Sequence, residues 1–390
     1  MRLRVLGLLL AATIATTVAR ADDAGARPAE RPEKQALRLV NAYRAAAGLP
    51  PVKLDAKLSK GCMEHAAYMR ANRGTDAMAG LNAHTQRPNL PGATPAGAAC
   101  GKAADLFPGV SDLQVAVDGW MASLYHRRPV LTPSLARIGV GYARLPDGSL
   151  MAALMFVNDK DATPARAVMY PADRQTDVPL EFGNEVPNPI PGNGRGGYPI
   201  TLQFPAFDPV TAVKATFTDG KGHKVPFYLS DPEHPATSFG QYGVICVIPK
   251  VPLAASSRYT VAIDATWNGQ AGHWSTTFTT LSLRAVDAAD ESAIAQAVGV
   301  ASRVRGTVLQ GGEIDGGTVF LQIGQATGKR YKMVSVMMPP AVWREVGGGA
   351  EPSTWTGKTV EVEATPVVVG KVYANLPISV AAQVRVIAAP

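Results

Sequence analysis

His84, Ser123 and His126 are the side chains whose types and spacing could do chemistry in this chain. The stretch 115–142, VAVDGWMASLYHRRPVLTPSLARIGVGY, spaces Trp120, Ser123 and His126 three apart, so a helix continuing to residue 126 would set them on one face. A partly buried imidazole there could accept a proton, bind a metal ion or hydrogen-bond a ligand. The plain alternative is a histidine that ties a helix end to a loop. His84 stands upstream in a polar turn, LNAHTQRPNLPG, with Gln86 placed to orient it; an exposed loop histidine is the alternative. Ser123 and His126 alone make no hydrolytic pair, because no GxSxG elbow surrounds the serine and no third orienting group is evident. Glu64 and His65 adjoin and point apart, so they form no HExxH zinc motif, and Asp118 reads as an ordinary helix-surface acid. His223, His234 and His273 are scattered through a β-rich stretch and read as surface histidines. Tyr331, Trp343, Trp355 and Tyr373 could line a groove that stacks sugars or bases, with core packing as the ordinary reading.

These residues need elements to hold them. Apolar periodicity predicts a helix from residue 32 that stops near Gly48-Leu49-Pro50. A second helix is predicted over about 55–69, with Leu58, Cys62, His65/Ala66 and Met69 on one stripe, and a third over about 112–123. Residues 138–142 and 150–157 alternate like paired strands joined through Pro146-Asp147-Gly148. Helices first and strands last predict a layered α/β or α+β domain over residues 32–160. Pro and Gly then mark 161–197 as a linker or edge-wrapping segment. Short strand candidates between turns predict a β-sandwich over 198–280. Residues 281–390, opened by a strand region at 294–308 and without a long helix, predict a small β-barrel.

Residues 1–21 read as a cleavable export signal, with Arg2 and Arg4, an apolar run over 6–18 and a final Ala-Arg-Ala. A polar leader, 22–31, follows. The apolar run is short for a span and no later segment approaches the needed length, so a secreted or periplasmic chain without a transmembrane helix is expected. The net charge of +7 falls by three to +4 when Arg2, Arg4 and Arg20 leave with the signal. No dense Lys/Arg run exists, so no specific nucleic-acid partner is expected. Of the three cysteines, Cys62 and Cys100 share the first domain and are the natural pair for one disulfide. Cys246, in the apolar VICVI, reads as a buried free thiol.

Taken in order, LVNAYRAAAGLPPVKLD, EHAAYM, His84, VDGWMASLYHRRPVL and IGVG make residues 32–160 resemble the CAP superfamily (cysteine-rich secretory proteins, antigen 5 and pathogenesis-related 1), also called the SCP domain. Bacterial members carry W-x-x-S-x-x-H-R where Trp120, Ser123, His126 and Arg127 stand. The resemblance implies an α-β-α sandwich whose cleft holds two histidines, falling on His84 and His126, with Gln86, Trp120 and Ser123 as further cleft candidates. Many members add two cleft glutamates. Here Ser123 stands at one such position, and the stretch approaching the other reads GAACGKAA. A divalent metal such as zinc would then rest on His84 and His126, with water or other ligands completing its shell. The later blocks resemble an immunoglobulin-like module and an OB-type barrel. The function this implies is binding of a lipid, an envelope glycan or an extracellular protein. A histidine- or metal-assisted hydrolase and a structural envelope or adhesion protein are the alternatives, because the fold transmits no single activity.

Overall fold

The computed structural model describes residues 30–159, 166–183, 185–205, 207–314, 316–324, 333–369, 373–378 and 381–387. The expected export signal lies outside them, as does Tyr331. Among the described residues no helix is long and apolar enough to cross a membrane.

Side-chain caps start three of the first helices. After α1 (Pro32–Ala46) and the short β1 (Lys53–Leu54), Asp55 accepts the Lys57 and Leu58 N–H groups and opens α2 (Ala56–Ala71). Thr94 accepts from Gly97 at the head of α3 (Pro95–Ala103), which runs into β2 (Ala104–Val110). Asp112 accepts from Val115 and opens α4 (Leu113–Met121), and a single turn, α5 (Arg127–Val130), follows. Two long strands, β3 (Leu135–Arg144) and β4 (Leu150–Asn158), complete a sheet of order β1-β3-β4-β2.

Alternation along β3 builds the layers. Ile138 and Val140 share a buried core with Val40 of α1 and Val117 of α4, whereas Ala143 packs with Ala66 and Met69 of α2. Gly139 and Gly141 fall on the α2 side. A Cβ on Gly141 would overlap the Cys62 carbonyl and stand 2.5 Å from the Met63 nitrogen, so glycine is what lets helix backbone lie on strand backbone. The result is the expected α-β-α sandwich. Cys62 and Cys100 are joined across α2 and α3 with a sequence separation of 38. Loop-closure entropy assigns such a cross-link about 4 kcal/mol. A Cys62→Ser/Cys100→Ser variant is therefore expected to melt several degrees lower than the oxidised protein in calorimetry, and an unchanged melting temperature would contradict the cross-link.

Part of the Pro/Gly-rich stretch is structural. Its strand β5 (Val168–Tyr170) pairs with β6 (Ile200–Gln203) in a sheet of order β5-β6-β9-β8, with β8 Phe227–Ser230 and β9 Val244–Pro249. The facing sheet, β11-β10-β7, comprises β7 (Val210–Asp219), β10 (Arg258–Trp267) and β11 (Gln270–Thr279). Ile200 and Val247 of one sheet share a core with Phe217 and Val261 of the other, and the same core continues into α1 and α4. Arg127 fastens this junction. Its buried guanidinium donates to Met121 O (2.7 Å) and Pro199 O (2.5 Å) and lies over the rings of Tyr170 and Tyr198.

The last block corrects the expected barrel. Among the described residues its eight strands form an open sheet whose order ends at Val367–Val369 on one side and Val384–Ile387 on the other, and these ends do not pair. Closure requires that pairing. The 13-residue strand Ser302–Ile314 instead changes partner midway: residues 302–307 pair with Thr359–Ala364, and residues 308–314 with Thr318–Ile323. Two short helices also appear, Glu291–Ala297 (where a strand region was expected to begin at 294) and Pro340–Gly347. Trp343 and Trp355 are buried in this core, 5.1 Å apart edge to face, so they line no open groove.

Candidate functional site

The helix carrying Trp120 ends at Met121, which corrects the expected shared face: Ser123 and His126 lie in the turn beyond it. A carboxylate from far along the chain holds that turn. Glu185 accepts the Leu124 N–H (2.7 Å) and the Tyr125 N–H (2.9 Å), donors that a continuing helix would have spent on its own carbonyls. The same carboxylate accepts from His126 Nδ1 at 3.0 Å. Ser123 Oγ stands 3.4 Å from His126 Nδ1, but its proton goes to Trp120 O at 2.8 Å. With Nδ1–H already donated to Glu185, that nitrogen cannot activate the serine, and Ser123 acts as a buried brace of the turn.

His84 ends the 3-10 turn Gly80–His84 and donates from Nδ1 to Gly101 O at 2.9 Å. Both histidines thus have Nδ1 anchored and Nε2 without a partner among the described residues. They line two lobes of one cleft, about 390 and 340 Å³. Trp120 walls the second lobe. Gln86 does not join them. Its amide donates to His65 Nδ1 (3.1 Å) and accepts the Thr94 N–H (2.8 Å), a buried network beneath a separate small pocket. His223, His234 and His273 each pair with a nearby aspartate and do not meet.

Asp105, Arg128 and Glu185 are among the cleft residues that the sequence reading left out. Asp105 lies immediately after the stretch that lacked an acid, so its position was the available signal. Burial pushes its carboxyl up to about 8, against the pull of the His126 charge, and its Oδ2 is buried without a partner among the described residues. Burial alone would lower His126. Its bond to Glu185 and the charges of Asp105 and Glu185 outweigh that and raise it above 6.5. His84 moves the other way: burial lowers it, the Gly101 carbonyl opposes, and the neighbouring His126 lowers it further.

Histidine side-chain NMR should accordingly show His126 titrating above 6.5 and His84 below it. By linkage, the stability His126 contributes is full below its unfolded value of 6.5 and is lost as pH rises through its higher folded value. His84 works oppositely, costing stability as pH falls below 6.5. The reverse order of the two titrations would refute this electrostatic account.

The zinc expectation gains no third ligand. Among the described residues no three His, Cys, Asp or Glu side chains are grouped so as to hold a metal ion. Protein zinc sites take three or four such ligands, so no step is assigned to a metal here.

A family model described as CAP, the cysteine-rich secretory protein family, matches residues 37–157. No curated protein matches the chain. Among solved structures, an extracellular protein containing an SCP domain from Bacillus anthracis is 22% identical over 32% of this chain and 40% of its own, with a TM-score of 0.25. An outer surface protein from Borrelia burgdorferi is 19% identical over 34% of this chain and 97% of its own, with a TM-score of 0.26. CopC from Methylosinus trichosporium OB3b is 12% identical over 30% of this chain and 95% of its own, at 0.21.

Proposed function

Since residues 37–157 belong to the CAP family, we propose that this chain is an exported binding protein that holds its ligand between His84 and His126. The arginine-started apolar run at residues 1–21 and the Cys62–Cys100 disulfide support export. One observation carries the binding assignment: two imidazoles share a cleft, each fixed through Nδ1 and each presenting an uncommitted Nε2. Such atoms accept a hydrogen bond when neutral and donate one when charged, so with opposite shifts the pair offers both capacities to one ligand. The two-sheet module, read as immunoglobulin-like, supports the cleft by supporting the segment that delivers Glu185. Panels of lipids, glycans and envelope proteins titrated into the 15N-labelled chain test the reading. A saturating ligand should shift both histidine Nε2 signals, and ligands that bind while leaving both unmoved would reject the site.

Asp105 favours a second reading, a hydrolase. A carboxyl pushed to about 8 holds its proton at neutral pH and stands in the same cleft lobe as His126, as acid–base exchange requires. Hydrolysis of ester, peptide or glycoside panels that Asp105→Asn left unchanged would dismiss it.

A further inference from the structure

Four aromatic rings lead out of the cleft onto the second module. Tyr125 meets Phe239 at 5.1 Å between centroids, Phe239 meets Tyr242 at 6.2 Å, and Tyr242 meets Phe207 at 5.9 Å, all edge to face. Tyr125 and Phe239 line the cleft itself. Tyr125 is 9% exposed inside the cleft, whereas Phe239, Tyr242 and Phe207 are 42%, 37% and 84% exposed. A lone exposed ring is ordinary, but a continuous row beginning inside a cleft marks an interaction site. Phe207 (φ 72°) and Tyr242 (φ 49°) both sit in the left-handed region, which bulky side chains rarely adopt.

The row is positively charged along its inner end. The Arg128 guanidinium lies 4.3 Å over the Tyr242 ring, and Arg128 and Lys102 both line the cleft. Neither makes an ion pair among the described residues. The acid in the same cleft, Asp105, is pushed up to about 8 by its burial, with the charges of His126 and Arg128 pulling the other way.

We infer that this row is a subsite for an acidic oligosaccharide, its sugar rings stacked on Phe239 and Phe207 and its carboxylates set against Arg128, which lies over Tyr242, and Lys102. The inference rests on the cleft-binding reading above and names the ligand class for that site. Sugar rings present C–H faces that lie on aromatic rings and hydroxyl edges that stay in water. The open row, with the half-buried Thr237 and the exposed Ser238 beside it, meets both needs. An acyl chain would require an enclosed apolar wall, which rings this exposed do not make.

Oligogalacturonate titrated into the full chain by calorimetry tests this, with uncharged cello-oligosaccharide and phosphatidylglycerol vesicles as the other arms and histidine NMR on the same samples. Oligogalacturonate is expected to bind. Phe239→Ala and Phe207→Ala should each weaken it about tenfold, the scale of one stacking contact. Arg128→Gln should abolish the preference over cello-oligosaccharide. Binding that both ring variants leave unchanged overturns the subsite, as does binding to vesicles alone. The two readings fail separately. Histidine shifts with ring-independent affinity remove the row and keep the cleft, whereas ring-dependent affinity without histidine shifts removes the cleft and keeps the row.

Discussion

Gly141→Ala is expected to destabilise the N-terminal domain by about 3 kcal/mol or more, at the upper end of overpacking effects. The new methyl would meet backbone, the Cys62 carbonyl and the Met63 nitrogen, and backbone cannot rotate away as a side chain can. Relief would require α2 to lift from β3, opening the layer that holds Ala66, Met69 and Ala143. Gly148→Ala is the control. It has a left-handed φ of 89° but open space around it, so only about 1–2 kcal/mol of backbone strain applies. Urea unfolding of the two variants separates these costs. Equal losses would mean that α2 and β3 do not pack backbone to backbone.

Glu185→Ala is expected to cost about 3–5 kcal/mol, the range for removing one partner of a buried charged pair. The Leu124 and Tyr125 N–H groups lose their acceptor, and so does His126 Nδ1. Burial, the largest influence on His126, would then be less opposed, so its titration should move toward lower pH. Glu185→Gln keeps one acceptor oxygen and the side chain's volume, and should recover part of the stability without recovering the raised titration. NMR titration with chemical denaturation reads both effects. A His126 titration that stayed above 6.5 in Glu185→Ala would show that Glu185 does not control it.

What the sequence revealed follows the range over which each feature is determined. The helices beginning near residues 32, 55 and 112 and the β3–β4 pair are written in local spacing, and the structure places them as local rules require, whereas the short helix Pro95–Ala103 was not foreseen. The helix through Ser123 and His126 was misjudged because its end is decided by an acceptor 61 residues away, Glu185 on Leu124. No local pattern announces such a residue. Gln86 had the right neighbour and the wrong partner, since proximity to His84 in sequence says nothing about His65 packed behind it. The barrel was misread for a related reason. Strands announce themselves by alternation, but closure depends on whether the outermost two meet, and Val367–Val369 and Val384–Ile387 do not pair.

Arg127 sets an order of assembly. A chain made from its N-terminus delivers this guanidinium well before Pro199, the acceptor 72 residues later. Until that carbonyl and the rings of Tyr170 and Tyr198 arrive, the first domain holds a cation with nowhere apolar to lodge. Its helices and disulfide can form early, but its final packing waits for strands synthesised after it. A chain stopped at residue 159 would keep the Met121 carbonyl as an acceptor for this cation but lack Pro199, Tyr170 and Tyr198, so the final packing of the first domain depends on residues that follow it, and a protease that cut the connector before docking would leave that packing unfinished.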